Sequence, residues 1–93
     1  VYEDDKMIVI RDVAPAAPVH VLMIPKAHTE NIITAEPELL LYMFGKVKEL
    51  AEKLGVNEKG FRIVANTGDD GGQTVKHLHI HLLGGKALGW PPC

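Results

Sequence analysis

Ninety-three residues suit one small domain, and a hydrophobic content of 46% is enough for a single core. A formal net charge of -2 argues against the basic stripe that nucleic-acid binding needs, and no apolar run approaches the roughly 20 residues that span a membrane. The lone cysteine, Cys93, cannot close an internal disulfide, which fits a reducing, cytoplasmic setting.

In chain order, the polar Glu3-Asp4-Asp5-Lys6 reads as a turn. The β-branched run Met7-Ile8-Val9-Ile10 follows it, so Val1–Tyr2 and Met7–Arg11 are expected to form a hairpin. Asp12 to Pro18 is a loop, because each proline lacks an amide donor and biases its predecessor away from helix. Val19 to Ile24 is the next strand, ended by Pro25. Successive strand side chains face opposite sides, so His20, Leu22 and Ile24 share one face. A histidine in such apolar company needs a hydrogen-bond partner. His28, in the polar stretch after Pro25-Lys26, reads as a surface residue outside any site.

Thr34 or Glu36 starts a helix, with Pro37 tolerated in its first turn. Leu40, Met43, Phe44, Val47, Leu50, Ala51 and Leu54 form an apolar stripe at spacings of three and four. Gly55 can cap the helix end in the left-handed conformation. Leu39, Leu41 and Tyr42 widen the stripe beyond what one sheet needs, which suggests a partner surface. Phe61 to Ala65 is a strand. Asn66-Thr67-Gly68-Asp69-Asp70-Gly71-Gly72-Gln73-Thr74 is a glycine-rich loop whose backbone amides could approach an anion. It lacks the Gly-Lys-Ser/Thr ending of a P-loop.

The loop leads into Lys76-His77-Leu78-His79-Ile80-His81-Leu82-Leu83-Gly84-Gly85. As a strand, this run puts Leu78, Ile80 and Leu82 in a core and lines His77, His79 and His81 along the other face. A helix would scatter the same histidines around its axis. Imidazole can be nucleophile, proton carrier or metal ligand. His-x-His on a strand can bring two ligands to zinc, but three histidines from one straight strand fit a tetrahedron poorly, and a fourth ligand must come from elsewhere.

Three histidines alternating with apolar residues resemble the signature of the histidine triad (HIT) family of nucleotide hydrolases and transferases. The resemblance to its Hint branch covers nearly the whole chain. Pro18 to His28 resembles the strand carrying a fourth histidine, Asn66 to Val75 the phosphate loop, and Gly84-Gly85-Lys86 with Trp90-Pro91-Pro92 the C-terminal tail. The resemblance implies a single HIT domain over residues 1–93, preceded in the family by a further N-terminal stretch. It also implies an α+β fold: a mostly antiparallel five-stranded sheet with one main helix, associating as a homodimer. Trp90 would reach the partner subunit near its active site.

The activity so implied is a phosphoramidase. It hydrolyses purine nucleoside 5′-phosphoramidates, or acyl or aminoacyl adenylates, to the nucleoside monophosphate, such as AMP. His79 would be the nucleophile and carry the nucleotidyl intermediate. A group near His77 would hold its other nitrogen protonated. His81 would bind a phosphoryl oxygen and help protonate the leaving amine. His77 and His20 would orient these two. Asn66, the Gly72 and Gln73 amides, and Thr74, where the family commonly has serine, would donate to the phosphate. Asp12 would hold the ribose hydroxyls, with Ile10 and Val13 walling the base. The scheme needs no cofactor and no metal. Two other readings of the same residues are a diadenosine-polyphosphate hydrolase of this family and a non-catalytic nucleotide- or metal-binding interaction module.

Overall fold

The computed structural model describes residues 1–92, and Cys93, read above as unpaired, lies outside the described residues. Five antiparallel strands make one sheet: β1 (Tyr2–Glu3), β2 (Met7–Arg11), β3 (Val19–Pro25), β4 (Phe61–Val64) and β5 (Ile80–Gly84), in the order β1-β2-β3-β5-β4. The N-terminal hairpin is present, with Tyr2 opposite Val9. The Asp4 carboxylate holds its turn by accepting the Lys6 and Met7 amides, both at 2.8 Å. The same carboxylate accepts the hydroxyls of Tyr2 and Tyr42, and the Tyr42 bond is the main reason it titrates well below the usual carboxylate range.

Register decides what each sheet face carries. Val9, Met23 and Ile80 stand side by side across β2, β3 and β5, all fully buried. Helices α1 (Pro37–Gly45) and α2 (Val47–Leu54) supply Met43, Leu50 and Ala51 to the same core. One residue along, the row Ile10–Leu22–His81–Val64 faces the other way. The fold is therefore a two-layer α+β arrangement, with helices on one side and an open face carrying histidine on the other.

The main helix runs in two segments. The interruption falls at Gly45-Lys46, where the Lys46 amide reaches back three residues to the Met43 carbonyl instead of four. Glycine is the weakest helix former after proline, so the break falls where the ladder is least favoured. Gly55 ends α2 at φ 75°, in the left-handed conformation.

The triad strand is shorter than its sequence pattern. The β3–β5 ladder stops at the Met23–Ile80 pair, so His77, at a bend, and His79 lie in a lead-in before β5. Pro25 stands just beyond that pair and has no amide to donate. The lead-in is pinned to the following loop instead, by the Leu78 amide on the Thr29 carbonyl at 2.8 Å. Leu78 is still buried with Ile80 and Leu82, as the alternation requires.

Candidate active site

The ladder sets His20 diagonally beside His81, because His20 pairs with Leu83 and Leu22 with His81. His20 is 7% exposed, and both of its ring nitrogens are engaged. The Ala16 amide donates to Nδ1 at 3.0 Å. An amide N–H can only donate, so the His20 proton sits on Nε2. It is therefore donated to His81 Nδ1, 2.9 Å away. His81 is then fixed with its own proton on Nε2. Burial pushes its pKa below the usual 6.5. The charges that His79 and His20 would carry act the same way, and Asp12 opposes them.

His79 has the opposite tautomer. Its Nδ1 lies 2.9 Å from the His77 carbonyl oxygen, which can only accept. The proton is on Nδ1, and Nε2 keeps its lone pair. The His79 and His81 rings meet edge to face, with centroids 5.2 Å apart. A bare imidazole nitrogen thus lies beside an imidazole N–H donor.

His77 was expected to share an orienting role with His20, yet the two are not in contact. Its Nε2–H donates to the Pro25 carbonyl at 2.9 Å, and its Nδ1 lies 3.0 Å from His28 Nδ1. His28, read from sequence as lying outside the site, packs its ring on His77 with centroids 5.0 Å apart. No local signal marks it, because a single histidine in a polar loop has no periodicity. His77 and His79, with Leu22, Ile24 and Val75, line an open hollow of roughly 370 Å³. A larger cavity of roughly 560 Å³, between Gly55–Gly60 and Gly85–Ala87, contains no histidine.

The glycine-rich loop is built largely from the groups assigned to phosphate. The Gly72 and Gln73 amides donate to the Asp69 and Gly68 carbonyls at 3.0 Å each, and Asn66 Nδ2 donates to the Gly71 carbonyl at 2.7 Å. Gly71 is a close-approach glycine, since a Cβ there would lie 2.3 Å from the Thr67 oxygen. The Gln73 side chain is buried and fully used. Its oxygen accepts from Asn31 Nδ2 and the Gly68 amide, and its nitrogen donates to the Glu30 and Val75 carbonyls. These three residues shape the loop in this conformation. Thr74 is exposed at the loop's exit, three residues from His77. Asn31 had no signal in the sequence, because asparagine in a polar loop ordinarily reads as turn chemistry.

Asp12 uses Oδ1 to accept the Ala14 amide at 2.8 Å, and Oδ2 lies 3.5 Å from His20 Nε2. Asp12, His20 and His81 also bring three ligand atoms within 4.8 Å of one another. The 2.9 Å approach of the two rings is a hydrogen bond, so an ion there would have to displace its proton. Ile10 lies in the His81 row with Leu22 between them, and Val13 projects into solvent from the loop after Asp12. Trp90 is 82% exposed on a tail whose Leu88 and Gly89 carbonyls are held by Arg62.

Comparison with known proteins matches this arrangement to a family. The HIT domain model covers residues 1–88. The chain is 56% identical to an uncharacterised HIT-like protein of Synechococcus elongatus, over 99% of this chain and 82% of that one. Its fold superposes on a HIT family hydrolase from Legionella pneumophila with a TM-score of 0.95 and 43% identity, covering 100% of this chain and 86% of that chain. A histidine triad nucleotide-binding protein from Candida albicans gives a TM-score of 0.82 at 30% identity, over 98% of this chain and 72% of that chain. The histidines on the open face of the sheet are thus accompanied by likeness in sequence and fold, and the chain belongs to the HIT domain family.

Proposed function

We propose that this chain is a nucleoside phosphoramidase of the Hint branch. It would cleave the P–N bond of purine nucleoside 5′-phosphoramidates, or the mixed anhydride of acyl and aminoacyl adenylates. The observation that carries this reading is the tautomer of His79, whose Nδ1 proton is given to the His77 carbonyl and whose Nε2 lone pair is thereby free. Nε2 attacks the α-phosphorus and the amine is expelled, leaving a nucleotidyl-histidine. The His81 Nε2–H binds a phosphoryl oxygen beside the departing nitrogen. That nitrogen takes up a proton from solvent, because neutral His81 giving up its one N–H would become an imidazolate, and the water of the second step returns a proton as the monophosphate forms. An acyl adenylate departs as carboxylate and needs no proton. The Thr74 hydroxyl and the loop it ends would cradle the phosphate, while Asp12, Ile10 and Val13 receive the ribose and base. A cytoplasmic setting goes with nucleotide substrates of this kind.

Adenosine 5′-phosphoramidate with excess EDTA tests this reading directly. Release of AMP undiminished by the chelator is the expected result. Activity that needs added metal, or cleavage confined to dinucleoside polyphosphates, would point to the other readings.

His81 also sets an expectation for pH. Its pKa is depressed by folding, so the native state favours the neutral ring. The stability this contributes is intact above the unfolded value of 6.5 and is lost as pH falls below it. A histidine NMR titration is expected to place the His81 midpoint below 6.5. A midpoint above that value would contradict the assignment.

Homodimer formation belongs to the same proposal. β4 is an edge strand of the described sheet, and Leu41, 75% exposed, lies one helical turn before Phe44, which lines a shallow hollow with Phe61 of β4. Leu41→Glu is expected to convert a dimer to a monomer in sedimentation. Unchanged sedimentation would move the interface elsewhere.

A further inference from the structure

The proposed chemistry uses His20, His77, His79 and His81 but not His28. The loop after β3 nevertheless clasps the triad lead-in at three points. The Pro25 carbonyl accepts from His77 Nε2, His28 Nδ1 meets His77 Nδ1, and the Thr29 carbonyl accepts from the Leu78 amide. Two of these bonds hold the His77 ring at both nitrogens. The third holds the N–H of the peptide that joins His77 to Leu78. The carbonyl of that same peptide accepts the His79 Nδ1 proton.

Proton bookkeeping fixes the direction of the chain. Pro25 offers only an acceptor, so His77 carries its proton on Nε2 and, when neutral, has a lone pair at Nδ1. The 3.0 Å contact between the two Nδ1 atoms needs one hydrogen, which His28 then supplies. His28 itself is exposed. A histidine at this place is thus a donor that stops the His77 ring from turning.

We infer that His28 is a positioning residue. It locks the His77 ring, and so the 77–78 peptide, in the orientation whose carbonyl keeps the His79 proton on Nδ1. The role rests on the proposed nucleophile reading, but it has a signature of its own. Without His28 the His77 ring is tethered at one nitrogen only. The 77–78 peptide keeps its Leu78 N–H on Thr29, but its carbonyl swings more widely on a ring tethered at one nitrogen, and His79 samples both tautomers. Only one of these presents a bare Nε2 to phosphorus.

The test uses the whole chain with ¹⁵N-labelled histidine, as wild type, His28→Ala and His28→Asn. Asparagine places Nδ2 at the same remove from its Cβ as histidine places Nδ1, so it can restore the donor. In the wild type the ring spectrum is expected to show His79 protonated at Nδ1 alone. In His28→Ala it should show a mixture of tautomers. In that variant kcat for adenosine 5′-phosphoramidate should fall about three- to tenfold, the worth of one hydrogen bond, with KM within about twofold. His28→Asn should restore both readouts. A His28→Ala protein with an unchanged His79 tautomer overturns the inference, and so does a shifted tautomer with unchanged kcat. If the wild type does not turn over the phosphoramidate, the proposed function fails. The ring spectrum then decides the role of His28 alone: a shift supports the clasp and an unchanged spectrum overturns it.

Discussion

Replacing His79 with alanine is expected to remove turnover of adenosine 5′-phosphoramidate, by at least about 10⁴-fold in kcat, while leaving the fold in place. A nucleophile cannot be substituted by strain or proximity, because the covalent intermediate no longer has an atom to form on. The fold should tolerate the change for structural reasons. His79 lies in the lead-in before β5, is partly exposed, and makes its hydrogen bond only to the neighbouring His77 carbonyl. Steady-state kinetics with a thermal melt of the same sample check both halves. Wild-type rates in His79→Ala would sink the assignment, and a collapsed melt would make the loss of rate uninformative. His79→Asn is a useful companion, since its amide can still donate to the His77 carbonyl while offering no nucleophile.

Gln73→Ala is expected to cost about 2–3 kcal/mol of stability and to lower turnover together with it. This side chain sits at 6% exposure and fills four hydrogen bonds, two that join the glycine-rich loop to Glu30 and Asn31 and two that tie Gly68 and Val75 together within it. Truncation orphans two carbonyls and an amide N–H in a partly buried place, and the Asn31 side chain in a buried one. Each such group costs about 1–3 kcal/mol if water cannot reach it, and partial hydration reduces the sum. The loop that presents Thr74 would lose its anchor. Denaturant midpoints measure the first effect and kcat for the phosphoramidate the second. A loss below about 0.5 kcal/mol, typical of a surface change, would mean the loop holds itself without this residue.

What the sequence made legible was periodicity. The two-residue alternation of Leu78, Ile80 and Leu82 foretold which face of the triad strand was core, and the three-and-four spacing of Met43, Leu50 and Ala51 foretold the helix. The diagonal meeting of His20 with His81 could be expected only through family resemblance, because register between distant strands is not written in either strand. Three features stayed hidden. The helix break depends on a single glycine inside an otherwise continuous stripe. The triad strand is shortened because its partner ends in a proline, a fact about β3 rather than β5. His28 and Asn31 act through contacts forty or more residues away, which no local pattern records. The loop amides illustrate the converse. Glycine content marks where a backbone can approach an anion, but it does not say whether the loop's own carbonyls already occupy those amides.

The most direct measurement is to look for the covalent intermediate itself. Protein mixed with adenosine 5′-phosphoramidate is quenched within the first turnover, digested under conditions that preserve phosphoramidate bonds, and mapped by mass spectrometry. One adenylyl group on His79, absent when the substrate is chased to completion and absent from His79→Ala, is the expected result. An adduct on another residue, or full turnover with no adduct at any time, would contradict a nucleotidyl-histidine mechanism at His79.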